Sequence, residues 1–210
     1  MAMVAHVAAG AAAHITTQSA TIVHDCRDAP ARLAVTATIG EDGFLALLPD
    51  PLVLFPGAVF DNTTDLTLHP GGRAILTDAA SLHDPRGEGR PFRRFHGAVI
   101  VRDAAGVVRL ADRGYVDGAA LGGAGVLGQW RAWGLLLVLG SAPLLPDGAA
   151  LEMAAEAAGC LAGASAAAGG IGLAVRLLGP DGGTLGRCLA ALAAEAAEAL
   201  AGCRLSLRGK

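Results

Sequence analysis

The sequence predicts a mostly β protein that turns helical only toward its C-terminus. Three observations carry this. Short alternating runs such as Ala34-Val35-Thr36-Ala37-Thr38-Ile39 recur through residues 14–145. Turn-forming residues return at short intervals, at 40–43, 49–51, 70–72 and 84–89. Beyond Pro146 the apolar period changes from that of a strand to that of a helix.

Each element has its own reason. Ala34–Ile39 alternates small and β-branched residues. Leu52–Phe55 is a short β-type run bounded by Pro51 and Pro56. Asp65–His69 puts Leu66 and Leu68 on one face and Thr67 on the other. Ala98–Arg102 and Val107–Leu110 flank Asp103-Ala104-Ala105-Gly106, which reads as a hairpin. Strands at this spacing fit a sandwich, a barrel or a solenoid. Asp147–Gly159 reads as a helix, with Asp147 as N-cap and Gly159 as its end. Ile171–Leu178 reads as a strand and 180–183 as a turn. A second helix runs from about Leu185 to Ala201 and is stopped by Gly202. Its stripe of Leu189, Leu192, Ala196 and Leu200 suits core packing, with partner binding as the other use; Glu195 and Glu198 mark the wet face. Two helices thus close a β-rich body.

Composition excludes several classes. The 210 residues suit one domain with a sizeable core. Hydrophobic residues make up 53 %, much of it alanine, which adds helix propensity but little buried area. The net charge is −3 and the one lysine is Lys210. No basic stripe exists, so nucleic acid is not an expected partner. The densest basic segment, Arg86–Arg94, is interleaved with Asp84 and Glu88 and reads as a solvated loop. The first thirteen residues are apolar, but no Arg or Lys precedes Arg27, unlike a secretory signal. The apolar stretch 134–145 is shorter than the ~20 residues a membrane span needs. A soluble, cytoplasmic chain without membrane contact is expected. Cys26, Cys160, Cys188 and Cys203 form no CxxC pair, so they are expected to be reduced thiols.

The common catalytic motifs are absent: no G-x-S-x-G, no H-E-x-x-H, no Walker A loop. Gly123-Ala124-Gly125-Val126-Leu127-Gly128 matches G-x-G-x-x-G, which raises a nucleotide-dependent enzyme as one alternative. The preceding residues, Tyr115–Leu121, make a poor buried strand, so a flexible glycine loop is the plainer reading. His24 and Cys26, two residues apart, share a face if they lie on a strand; imidazole and thiolate together suit nickel, copper or zinc. A stand-alone metal-binding protein is the second alternative. The plainer reading is a polar histidine at a strand end beside a buried cysteine. Asp50, Asp61, Asp65, Asp78 and Glu88 are scattered, and their spacing pairs none of them.

Two segments resemble a known family. Ile15-Thr16-Thr17-Gln18-Ser19-Ala20-Thr21 is similar to the Leu-Thr-Thr-Gln-Ala-Ala-Thr signature of the UreD (UreH) family of urease accessory proteins. About thirty residues on, Leu47-Leu48-Pro49-Asp50-Pro51-Leu52-Val53-Leu54-Phe55-Pro56-Gly57-Ala58 resembles that family's Leu-Pro-Gln-Pro-x-Ile-x-Phe-x-Gly-Ala segment, with Asp50 in place of Gln. More loosely, Asp78 followed by Gly87-Glu88 and Gly89-Arg90 occupies a matching zone. Ile22 and His24 stand where the family commonly has Lys and Tyr. The resemblance makes residues 1–210 a single UreD-like domain, short at the N-terminus.

The resemblance implies a β-helix-like, solenoid-like body of short strands with two α-helices toward the C-terminus. It implies no catalysis. It implies a scaffold that binds a UreF-like accessory protein, meets the UreG GTPase through it, docks on apo-urease and helps insert nickel. No cofactor is expected to be tightly bound; nickel is cargo in transit. Its weak, transient contacts are expected at His24, Cys26 and Glu88. Thr16, Thr17, Gln18 and Thr21 are expected to give a polar lining, or else to satisfy backbone groups at a solenoid corner.

Overall fold

The computed structural model describes residues 1–27 and 29–206. The chain winds into stacked coils. The first holds β1 (Ala2–Val7), β2 (Ala12–Thr16) and β3 (Ile22–Val23). The second holds β4 (Ala31–Ile39), β5 (Phe44–Leu48) and β6 (Leu52–Leu54), and the third β7 (Val59–Leu68) and β8 (Arg73–Leu82). β9 (Arg94–Asp103) begins a fourth, but the chain reverses into β10 (Val108–Asp117). Ala2 lies beside Ala34, Ala31 beside Phe60 and Val59 beside Arg94, all in parallel. The result is a β-solenoid, built without a repeat in the sequence.

The corners explain the winding. Gly10, Asp42 and Gly71 occupy the same place in successive coils, with φ of 67°, 54° and 69°. A left-handed residue at each corner turns the chain from one sheet to the other. The corners also bond to one another: Gly10 N–H donates to the Glu41 carbonyl and Asp42 N–H to the Pro70 carbonyl. A Cβ at Gly71 would stand 2.0 Å from Asp42 Oδ1, so a larger residue there would have to displace that carboxylate as well as adopt a φ that favours glycine.

Two sheets face each other across the coils. The smaller has the order β1-β4-β7-β9-β10. The larger has β2 and β3 at one edge, then β5 and β6, then β8, followed by β11 (Ala132–Leu139), β13 (Gly172–Gly179) and β12 (Leu161–Ala166). Helices α1 (Gly148–Ala157) and α2 (Gly182–Ala201) lie against the outer face of this larger sheet and do not plug an end. Asp147 and Asp181 cap their N-termini, accepting from Ala149 N–H and Thr184 N–H, and Gly202 ends α2 at φ 61°. Leu189, Leu192 and Leu200 are buried in the helix–sheet core, so the α2 stripe is packing. The 180–183 segment, expected as a turn, supplies the cap and first residues of α2.

The other expectations meet a mixed outcome. Asp103–Gly106 is a hairpin turn, with Asp103 Oδ1 accepting from the N–H groups of Ala105 and Val107. β8 escaped the alternation test because it is buried on both faces, between the two sheets on one side and the helices on the other. No helix among the described residues is long and apolar enough to cross a membrane.

Candidate functional site

The space between the sheets is apolar at both ends and polar at one level in between. One cluster gathers Val35, Ile39, Leu45, Leu66, Leu76, Val99 and Leu137. The other gathers Val23, Leu52, Leu54, Phe60, Phe92 and Phe95, with Trp133 edge-on to Phe95 at 5.6 Å. Strand alternation then dictates what stands between them. In β7, Phe60 and Leu66 point inward, so Asn62 and Thr64 do too; in β8, Leu76 and Ala80 point inward, so Asp78 does.

Asn62 Nδ2 donates to Asp78 Oδ1 at 2.9 Å. Asn62 is 9 % exposed, and its Oδ1 is buried with no hydrogen-bond partner among the described residues. An orphaned buried acceptor beside a carboxylate calls for a donor or a cation. Gly97 of β9 keeps the space open: a Cβ there would stand 3.0 Å from the Phe95 ring and 3.2 Å from Asp78 Oδ2. Gly114 of β10 lies directly beside Gly97 in the ladder, and Asp112, two residues away, is on the same face. Burial pushes the Asp78 carboxyl up to about 6; its bond from Asn62 pulls the other way, and the charge of Asp112 adds to the rise. Protein surrounds Asp78 closely enough to govern its ionisation, although the residue keeps some exposed surface.

The same level continues into the earlier coils. Leu47 aligns with Leu76 and Leu52 with Ala80, which sets residues 49–51 level with Asp78. Thr16 aligns with Leu48 and Ile22 with Val53, which sets 17–21 on that level again. Thr17 Oγ1 accepts from Asp50 N–H at 2.9 Å, and the Thr21 carbonyl accepts from Val53 N–H. The oxygen-rich segments of three coils are therefore stacked along the solenoid axis.

The profile of the family described as "UreD urease accessory protein" matches residues 1–208. The chain belongs to the UreD family. Relatives agree: Urease accessory protein UreD 1 of Methylorubrum extorquens (strain PA1) is 45 % identical over 96 % of this chain and 69 % of its own length. The protein of that name from Methylorubrum populi is 43 % identical over the same shares, and Urease accessory protein UreD 3 of Bradyrhizobium sp. (strain ORS 278) is 42 % identical over 97 % and 72 %. Both segments that resemble UreD proteins, 15–21 and 47–58, thus meet at the Asp78 level.

Within this UreD-family chain the individual candidates separate. β2 ends at Thr16, so 17–21 is a corner and Thr17, Gln18 and Thr21 lie outside the strand. Thr17 and Thr21 are half-buried, whereas Thr16 and Gln18 are exposed. β3 ends at Val23, so His24 and Cys26 do not share a strand face. The His24 ring packs edge-on against Phe55 at 5.0 Å, while Cys26 Sγ donates to the carbonyls of His24 and Val59. Glu88 pairs with Arg90 at 3.1 Å on the 84–90 loop. That loop is ordered by Asp84, whose carboxylate accepts from the N–H groups of Arg86, Glu88 and Arg90 and from the Arg90 side chain; these bonds hold the Asp84 carboxyl well below the usual carboxylate range. No group of three or more metal-binding side chains occurs among the described residues.

The glycine motif 123–128 does not form a dinucleotide turn. Residues 118–122 make a short 3-10 turn capped by Asp117, and no helix follows Gly128. The loop borders a cavity of about 550 Å³ together with His83, Arg90, Phe92 and Arg131. Asn62, Asp112 and Arg176 were missed as candidates, and Asp78 was seen without a partner. Only β-alternation, counted outward from Phe60 and Leu66, had the information to place Asn62 inside.

Proposed function

We propose that this chain is a non-catalytic scaffold for nickel insertion into apo-urease, acting with a UreF-like partner and, through it, the UreG GTPase, in the cytoplasm. Nickel is cargo that moves along the polar level inside the solenoid. The observation that supports this best is the orphaned Asn62 Oδ1 beside Asp78 in an otherwise apolar interior. Carboxylate and amide oxygens suit a hard or borderline divalent cation, and two or three of them hold it weakly enough to release it. A closed four-ligand cage would trap the ion. The corner reading of Thr17 fits the same picture: its hydroxyl fixes the Asp50 backbone and keeps that segment level with Asp78.

The test is activation of apo-urease with the full accessory set and Ni²⁺. Asp78→Asn keeps the shape and the Asn62 bond but removes the charge. It should cut activation at least tenfold while leaving co-purification with UreF unchanged. Full activation by this variant refutes the internal route; failure of the folded wild-type chain to bind UreF refutes the scaffold.

A further inference from the structure

The polar level ends at an ion pair that closes it. Asp112 lies on the inward face of β10, close enough to Asp78 to raise its pKa. The Arg176 guanidinium, reaching from β13, donates through Nη2 to Asp112 Oδ1 at 2.6 Å. Arg176 belongs on the inner face of the larger sheet, since Val175 and Leu177 on either side of it pack into the helix-side core. β10 and β13 share no ladder, so this pair joins the two sheets at the outer end of the level through side chains alone. Its side chain is 69 % exposed and makes no other hydrogen bond or ion pair among the described residues. A cation held by one exposed contact is cheap to displace.

We propose that Arg176 is a tethered counter-ion that occupies Asp112 until an arriving divalent cation displaces it, so that the Asp112 carboxylate is released only when cargo is present. The proposal rests on the reading that the level carries nickel, and it adds a positioning residue that acts through Asp112. The orphaned Asn62 Oδ1 is the independent sign that a ligand belongs on this level. Arg176 serves as the resident cation at a carboxylate that would otherwise repel Asp78. Neutralising Arg176 removes the competitor and should tighten cation binding. Exposed ion pairs are worth up to about 1 kcal/mol, which is about fivefold in affinity.

The test is equilibrium dialysis of Ni²⁺ against the full chain at fixed ionic strength, with a thermal unfolding midpoint for each variant. Asp78→Asn should weaken Ni²⁺ binding; if it does not, the passage reading itself fails. With that established, Arg176→Gln should bind Ni²⁺ about fivefold more tightly, Arg176→Lys should bind as the wild type does, and Asp112→Asn combined with Arg176→Gln should lose the gain. Arg176→Met replaces Arg176→Gln if the latter does not fold. Wild-type affinity in both neutral variants, or a gain that survives the loss of Asp112, overturns the gate while leaving the passage standing. A lowered midpoint with unchanged affinity would make Arg176 a strap between the sheets and nothing more.

Discussion

Replacing Asp78 by Asn should stabilise this protein at neutral pH and destabilise nothing below pH 4. Burial raises the carboxyl from 3.8 to about 6, so the folded chain holds a proton on Asp78 that the unfolded chain gives up earlier. Between those values the folded state binds more protons, and stability falls as pH rises. The penalty is absent below about pH 4 and complete above about pH 7. Carried through the linkage relation, the shift amounts to about 3 kcal/mol. Asparagine keeps the bond from Asn62 Nδ2, because its carbonyl oxygen accepts as the carboxylate did. The assay is urea unfolding of both proteins at pH 4 and pH 8, read as the difference between them so that all other carboxylates cancel. The variant should match the wild type at pH 4 and exceed it by 2 to 3 kcal/mol, or about that, at pH 8. Equal stabilities at both pH values would show that Asp78 is hydrated and the interior level is not enclosed.

Three further outcomes follow from the geometry. Gly118→Ala should abolish folding or lower the unfolding midpoint sharply, because its Cβ would fall 1.8 Å from the Phe92 carbonyl oxygen; circular dichroism melting reads this. Thr17→Val should cost about 1 kcal/mol by leaving Asp50 N–H without its acceptor, seen as a shift in urea midpoint without a change in slope. Leu136→Ala, at a residue fully buried between the larger sheet and the helices, should cost about 2 to 5 kcal/mol and leave the polar level intact, so its Ni²⁺ binding should match that of the wild type.

Much of the fold was legible because local chemistry announced it. Asp147, Gly159 and Gly202 mark helix ends, and the Asp103–Gly106 turn marks the hairpin; Asp181, expected within a turn, is instead the cap of α2. The solenoid itself was legible only through resemblance, since its coils share no sequence period and its corners use Gly at two places and Asp42 at the third. Asp78 illustrates why the site was not legible. It sits inside a strand buried on both faces, where alternation is erased, and its partner Asn62 comes from the neighbouring sheet. His24 and Cys26 drew notice through spacing alone, and the chain leaves its strand before reaching them.

The reversal at residues 104–107 has a mechanical consequence. In the first three coils the two sheets are joined by covalent corners, so the wall there is continuous. Beyond the reversal β10 faces β13 across a seam with no shared ladder, bridged by the Asp112–Arg176 pair and by the close approach of Gly169 to the Arg109 carbonyl. Prying this seam apart breaks side-chain contacts but no rung of either sheet. The solenoid is thus closed by backbone along most of its circumference and by side chains alone along one line, the line between β10 and β13.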